Sequence, residues 1–402
     1  MSTPEQPGGD NPFAGLPFFG DLMRMMNSQG GSPWDAATQL AVSIATNGVS
    51  EPNVDPAARI ELEEFSRIAE MHVEEVTGLT LHPGGRPLRV VPVTRGQWAQ
   101  QALRDHRPLF ERLSGSLGQA STGSFGADAD APGADPMTAM FGGIMKMMAP
   151  LMLGMTAGSM VGHLAEKAMG TYHLPLVRPE GADVQLVAPN IDAFAAEGEI
   201  DGRDLRMWVC LSELVHHAVL SIPHVRTRFG ALLDEFLGGF RTDPAALEDA
   251  LGGFDPMSAM GDPQGLQKLF GDPTALLGMI RSPAQQALLP QIEALVAAIV
   301  GYADHCMDQL AHRLLGSAGR LTEALRRRRV EAGEADRFVE RLLGLELTQA
   351  TYDRGAAFVD GVVERAGAAG LARLWERDET LPTIAEIGAP GLWLARIEFI
   401  EP

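Results

Sequence analysis

Cysteine is nearly absent from this chain: 402 residues contain two, Cys210 and Cys306. So few thiols exclude a disulfide framework, and both fall in apolar helical patterns that suit small core residues in a reducing cytoplasm. Positive charge is also short, with 32 Lys and Arg against 52 Asp and Glu and a formal net charge of −20. A broad nucleic-acid surface needs the opposite field, so DNA and RNA are not expected partners. The N-terminus lacks the basic start and compact apolar run of a secretory signal, and secretion is not expected. One uncharged stretch bears on membranes. Met147 through Gly162 is uncharged but falls short of the roughly 20 residues that a spanning helix needs, and Lys146, His163, Glu166 and Lys167 bracket it. A buried helix is expected there, and no membrane span. Gly154, Gly158 and Gly162 leave one of its faces nearly bare, which lets another helix approach closely.

What is present describes a largely globular chain: 45% of residues are hydrophobic and 21% charged, enough for substantial cores. Residues 1–33 are rich in Gly, Pro, Asn and Ser and read as a flexible tail, with the apolar patch Phe13 to Met26 as a docking segment. Residues 34–113 form an N-terminal helical and β part. Within it, Pro56 to Val76 places Ile60, Leu62, Phe65, Ile68, Ala69, Met71, His72 and Val76 at helical spacing, and Leu88 to Val93 reads as a strand. Thr94 is a candidate N-cap for a helix from Gln97 to Leu113, and the Gly-, Ser-, Ala- and Asp-rich stretch 114–136 reads as a linker.

Residues 137–402 read as a helical core. Val184 to Ala188 is its best strand, with Asn190 as a following N-cap, and Asp201-Gly202-Arg203-Asp204 starts a helix over 205–222 that Pro223 ends. Further helices are expected at about Ala284 to Leu315 (the span 284–315), Arg337 to Leu343 and Tyr352 to Gly367. The predicted fold class is mainly α, α+β in detail, with long helices and a small sheet.

The helix over 205–222 carries the stretch Ser212-Glu213-Leu214-Val215-His216. It reads as an HExxH zinc-protease helix whose first histidine is serine. In an intact motif, histidines at i and i+4 project from one face onto zinc and the glutamate activates the metal-bound water. A serine hydroxyl is a poor replacement for an imidazole, thiolate or carboxylate ligand. In the thermolysin-like arrangement the third ligand is a glutamate on a later helix, with a supporting aspartate four residues on. Val300-Gly301-Tyr302-Ala303-Asp304 supplies the aspartate, while Val300 stands where the glutamate would fall. His217 points about 100° away from His216 around the helix and cannot chelate with it as an i,i+4 pair does.

Trp208 through Leu220, with Pro223-His224-Val225-Arg226 after it, resembles the signature helix of actinobacterial zincin-like proteins. That family is described as zinc-dependent metalloproteases or hydrolases, and in part as associated with deazaflavin-cofactor biosynthesis. Tyr172 to Pro175, Leu186 to Phe194, Gly301 to Asp308, and Tyr352 to Val359 with Leu374-Trp375 and Thr380 to Thr383 are similar to it too. The resemblance implies a zincin-like fold, with zinc as cofactor, Glu213 as water-activating base, His216 as a zinc ligand and Asp304 near the metal. Ser212 and Val300 depart from the pattern at two ligand positions.

Three readings follow. The leading one is a degenerate zinc site that acts through binding a peptide or protein partner. The second is an active zinc peptidase with an unorthodox ligand set drawn from His216, Asp304 or His305, and a thiol. The third is a structural or assembly protein. Arg326 to Arg329 is the one dense basic run; with Glu323, Glu331 and Glu334 flanking it, a solvated helix face with local ion pairs is expected.

Overall fold

The computed structural model describes residues 33–121, 154–240, 282–330 and 333–399. The expected tail with its Phe13 to Met26 patch, and the Met-rich stretch before residue 154, lie outside the described residues.

The first layer begins with α1 (Pro33–Ala45) and α2 (Pro56–Thr77). Asp55 caps α2 by accepting from the Ala57 and Ala58 amides, Pro56 opens it, and Gly78 ends it with a left-handed φ of 64°. The apolar pattern of α2 splits into two faces: Leu62, Phe65, Ala69 and Val73 are buried, whereas Ile60, Ile68 and Met71 are exposed. Strand β1 (Val90–Val93) follows, then α3 (Arg95–Ser121). Thr94 caps α3 as expected, exchanging hydrogen bonds with Gln97 through both backbone amides. The helix does not stop at Leu113. It runs on through 121, so the start of the expected linker is helical, and 122–136 lies outside the described residues.

A helix over 154–167 (α4) lies directly on α1. A β-carbon on Gly154 would sit 2.9 Å from the Pro33 carbonyl oxygen, one on Gly158 would enter the Ala37 backbone, and one on Gly162 would sit 2.7 Å from Ile44 Cβ. The glycine face therefore serves close helix packing inside the fold.

Strand β2 (Val184–Val187) pairs in parallel with β1, Val90 opposite Val184 and Val93 opposite Val187. Among the described residues the sheet has these two strands, and β1 is an edge, which tolerates Pro92 within it. On its other side β2 meets the chain leaving α4: the Val187 amide donates to the Met169 carbonyl, and Gly170 bridges Leu186. Helix α5 (Ala188–Glu197) starts at once. Asn190 is not its N-cap. It is buried one turn in, where its side-chain amide donates to the Ala165 and Ala168 carbonyls and thereby terminates α4.

The remaining elements are α6 (Gly202–Leu220), α7 (Pro223–Gly238), α8 (Pro283–Leu314), α9 (Ala318–Val330), α10 (Glu334–Leu342), α11 (Gln349–Ala372), α12 (Ile384–Ile387) and α13 (Pro390–Glu398). Helix α8 is the hub. It packs on α6, α7 and α11, and is buried almost all round from Ala294 to Ala303. Its crossing with α11 is backbone against backbone, because Gly301 and Gly355 face each other with no room for a β-carbon on either. Among the described residues, α8 has the length and apolarity of a membrane span, but most of that apolar window is buried by neighbouring helices. Side chains from both ends of the chain, including Leu62, Trp98, Ile299, Phe358 and Trp393, share one continuous core. The predominantly helical fold with a small sheet is as the sequence predicts.

Candidate functional site

Helix α6 is well started: the Asp201 carboxylate accepts from the amides of Arg203 and Asp204, both at 2.9 Å. It ends at Leu220, and Pro223 opens α7 at an angle of 84°. Residues Val209 to Val215 are buried on every side, so Ser212 and Glu213 are buried polar residues in an apolar helix. Such groups need internal partners.

Glu213 finds them in the segment that flanks β2. Its Oε2 accepts from the Tyr172 backbone amide at 2.8 Å, and the Thr171 amide also hydrogen-bonds the carboxylate. Gly170 makes the approach possible, since a β-carbon there would lie 2.7 Å from Glu213 Cγ and closer still to the carboxyl carbon. Burial pushes the Glu213 carboxyl up to about 8, against the opposing pull of the two amides and the Arg178 charge. It is largely protonated at neutral pH.

His216 Nδ1 hydrogen-bonds the Ser212 carbonyl at 2.8 Å, which places the proton on Nδ1 of the neutral ring and leaves a lone pair on Nε2. Burial lowers its basicity. Tyr172 stacks on this ring, with centroids 6.2 Å apart and planes 17° from parallel. The same tyrosine reaches His217, its hydroxyl 2.9 Å from Nδ1. His217 also bonds the Leu81 backbone, and burial drives it down to about 4, so it is neutral and its Nδ1 accepts a hydrogen bond from the tyrosine hydroxyl. Tyr172 thus touches Glu213, His216 and His217 by three different groups. The sequence places Tyr172 in a segment similar to the family but gives it no role; the available signal is the glycine two residues before it.

The second half of the site comes from α8 and α9. Val300 is buried, and Asp304 one turn later forms an ion pair with Arg329, Nη1 to Oδ2 at 2.8 Å. Arg329 lies over the Tyr352 ring, 4.8 Å from its centroid. Both Asp304 and Arg329 bear electrostatically on His216. His305 points elsewhere, with Nε2 2.7 Å from the Gln309 side-chain amide. Within the basic run Arg326 and Arg327 are exposed, as expected of a solvated face, whereas Arg328 and Arg329 are half-buried. Arg326 and Arg329 pair with Asp308 and Asp304 on α8, and Arg328 stacks on Phe194 while donating to the Lys167 carbonyl.

A family model described as zincin-like metallopeptidase matches residues 33–394. The chain belongs to that family. A crystal structure from Chloroflexus aurantiacus, described as "a putative hydrolase with a novel fold", shares the fold of this zincin-like chain at a TM-score of 0.61 and 24% identity. The match covers 91% of this chain and 98% of that one. No curated protein matches.

Zincin-like metallopeptidases are generally zinc-dependent, so the donor set can be tested against zinc. Among the described residues, no three His, Cys, Asp or Glu side chains are placed to hold a metal ion. Of the motif positions, only His216 offers a good zinc donor: Ser212 and Val300 do not, Glu213 is turned onto backbone amides, and Asp304 is held by a guanidinium. The cysteines do not repair the set. Cys210 Sγ faces Ser66 and the Leu62 carbonyl on α2, and burial pushes both thiols up to about 12. His173 faces Asp336 at 4.0 Å, and His224 opens α7 with Nε2 buried and unpartnered. The described residues do not fit zinc.

Proposed function

We propose that this zincin-like chain acts by binding a peptide or protein partner rather than by hydrolysis, with its zinc site degenerate. The observation that carries the reading is the state of Glu213. A general base must reach the water it activates, directly or through one intervening water. Here the carboxyl is buried, largely protonated and committed to the Thr171 and Tyr172 amides. Ser212 and Val300 add to this the loss of two metal donors. The peptide class of partner is taken from the description of the family as metallopeptidases.

Metal analysis of protein purified without chelators is expected to give far less than one zinc per chain, with no hydrolysis of unfolded protein substrates. Near-stoichiometric zinc, together with peptidase activity abolished by Glu213→Gln, would overturn the reading.

A further inference from the structure

Two helix faces that meet around a metal in a metallopeptidase meet here around a side chain. Along α6, Trp208, Ser212 and His216 follow one another at i, i+4 and i+8 and share a face. Along α8, Val300 and Asp304 likewise share a face, and the two helices pack together. Arg329 enters from α9. Trp208, Asp304 and Arg329 line one cavity of about 10 Å³, so Arg329 and Asp304 meet α6 at Trp208, one turn before Ser212. Arg329 donates to Asp304 at 2.8 Å and covers the Tyr352 ring.

We propose that Arg329 is the resident cation of this site: it supplies to Asp304, one turn after Val300, the positive charge that a metallopeptidase takes from its metal. The site is then closed to divalent ions by charge as well as by missing ligands. This rests on the reading of the zinc site as degenerate and says what replaced the metal. A carboxylate at a helix interface needs a counter-charge or it destabilises the fold. Arginine supplies one that no accessible pH removes, and the Tyr352 face stabilises the side of the guanidinium that Asp304 does not reach. A dication entering the same space would meet this fixed charge at close range. Restoring the lost ligands is therefore not sufficient to restore the metal.

The test uses the full chain carrying Ser212→His and Val300→Glu, titrated with cobalt(II) by visible absorption and with zinc by competition. With Arg329 in place, binding is expected to be weak. Adding Arg329→Met is expected to raise the affinity about 100-fold, whereas Arg329→Lys, which keeps the charge, leaves it low. Circular dichroism and thermal unfolding establish that each variant is folded, and Asp304→Asn with Arg329→Met replaces the single change if that one does not fold. Tight zinc binding while Arg329 is still present overturns the proposal without any change at that residue. Affinities of the Met and Lys variants within about 3-fold of each other overturn it equally. Zinc content of the unaltered protein tests the degenerate-site reading separately, since it does not depend on what Arg329 contributes.

Discussion

The Tyr172 backbone amide stands 2.8 Å from Glu213 Oε2, so the glutamate of the motif helix is fastened to the segment that borders β2. The bond joins the sheet to α6. It also fixes the tyrosine whose ring covers His216 and whose hydroxyl reaches His217.

The pH dependence of folding should report this burial. Glu213 has an ordinary value of 4.5 and a folded value of about 8, so the unfolded chain releases its proton first as pH rises. Its contribution is complete below 4.5 and is lost as pH climbs towards 8, at up to about 1.4 kcal/mol per pH unit within that window. Glu213→Gln, which cannot ionise, is expected to flatten that part of the profile. Urea unfolding at several pH values checks it; parallel profiles for the two proteins would remove Glu213 as the cause.

Gly170 has the Glu213 side chain where its own β-carbon would be. Gly170→Ala is expected to destabilise the protein by about 1–3 kcal/mol, the usual cost of overpacking, and to disturb the environment of the tyrosine ring. Thermal unfolding measures the first. Near-ultraviolet circular dichroism measures the second, and an alanine variant unchanged in both would contradict the packing described.

Asp304 and Arg329 are each about a quarter exposed, with 22% and 25% of the side-chain surface accessible, so their coupling should exceed that of a surface pair. A double-mutant cycle through Asp304→Asn and Arg329→Met is expected to return about 1–2 kcal/mol, discounted from the buried-pair range for partial solvation. A coupling below about 0.5 kcal/mol would place the pair with ordinary surface ion pairs.

The crossing of α8 and α11 tolerates no side chain at either glycine: a β-carbon on Gly301 would sit 2.7 Å from the Gly355 α-carbon and closer to its carbonyl. Gly301→Ala and Gly355→Ala are each expected to cost about 3 kcal/mol or more, because backbone rather than a flexible side chain must give way. Each alanine also raises local helix propensity, which works in the opposite direction by about 1 kcal/mol. A stabilised variant in chemical unfolding would show that the helices can separate freely.

Periodicity and capping residues made most of the helices and both strands legible, since these signals are local: Thr94 and Asp201 cap as their side chains predict. Asn190 misled because a buried asparagine one turn inside a helix and an N-cap asparagine look alike until its distant carbonyl partners are known. In α2, Ile60, Ile68 and Met71 matched helical spacing yet face outward, because spacing alone does not say which of two apolar stripes the rest of the chain covers. At the site, Ser212, Glu213, His216 and Asp304 could be named from motif spacing. The roles of Tyr172 and Arg329 could not. Both act across long sequence separations, and a run of arginines carries no mark of which member turns inward.

The parallel pairing of β1 with β2 also bears on the order in which the molecule assembles. Val90 meets Val184 only after a loop containing all of α3 and α4 has closed, whereas α6 and α7 adjoin, and α8 reaches α11 over a shorter path. Long closures are entropically slow, so the sheet and the Tyr172 segment beside it should settle after the α8 hub. Pulse-labelled hydrogen exchange during refolding would then protect the Ile299 amide before that of Tyr172, and the reverse order would contradict this. A chain caught before that last closure would hold its motif helix with Glu213 still facing water.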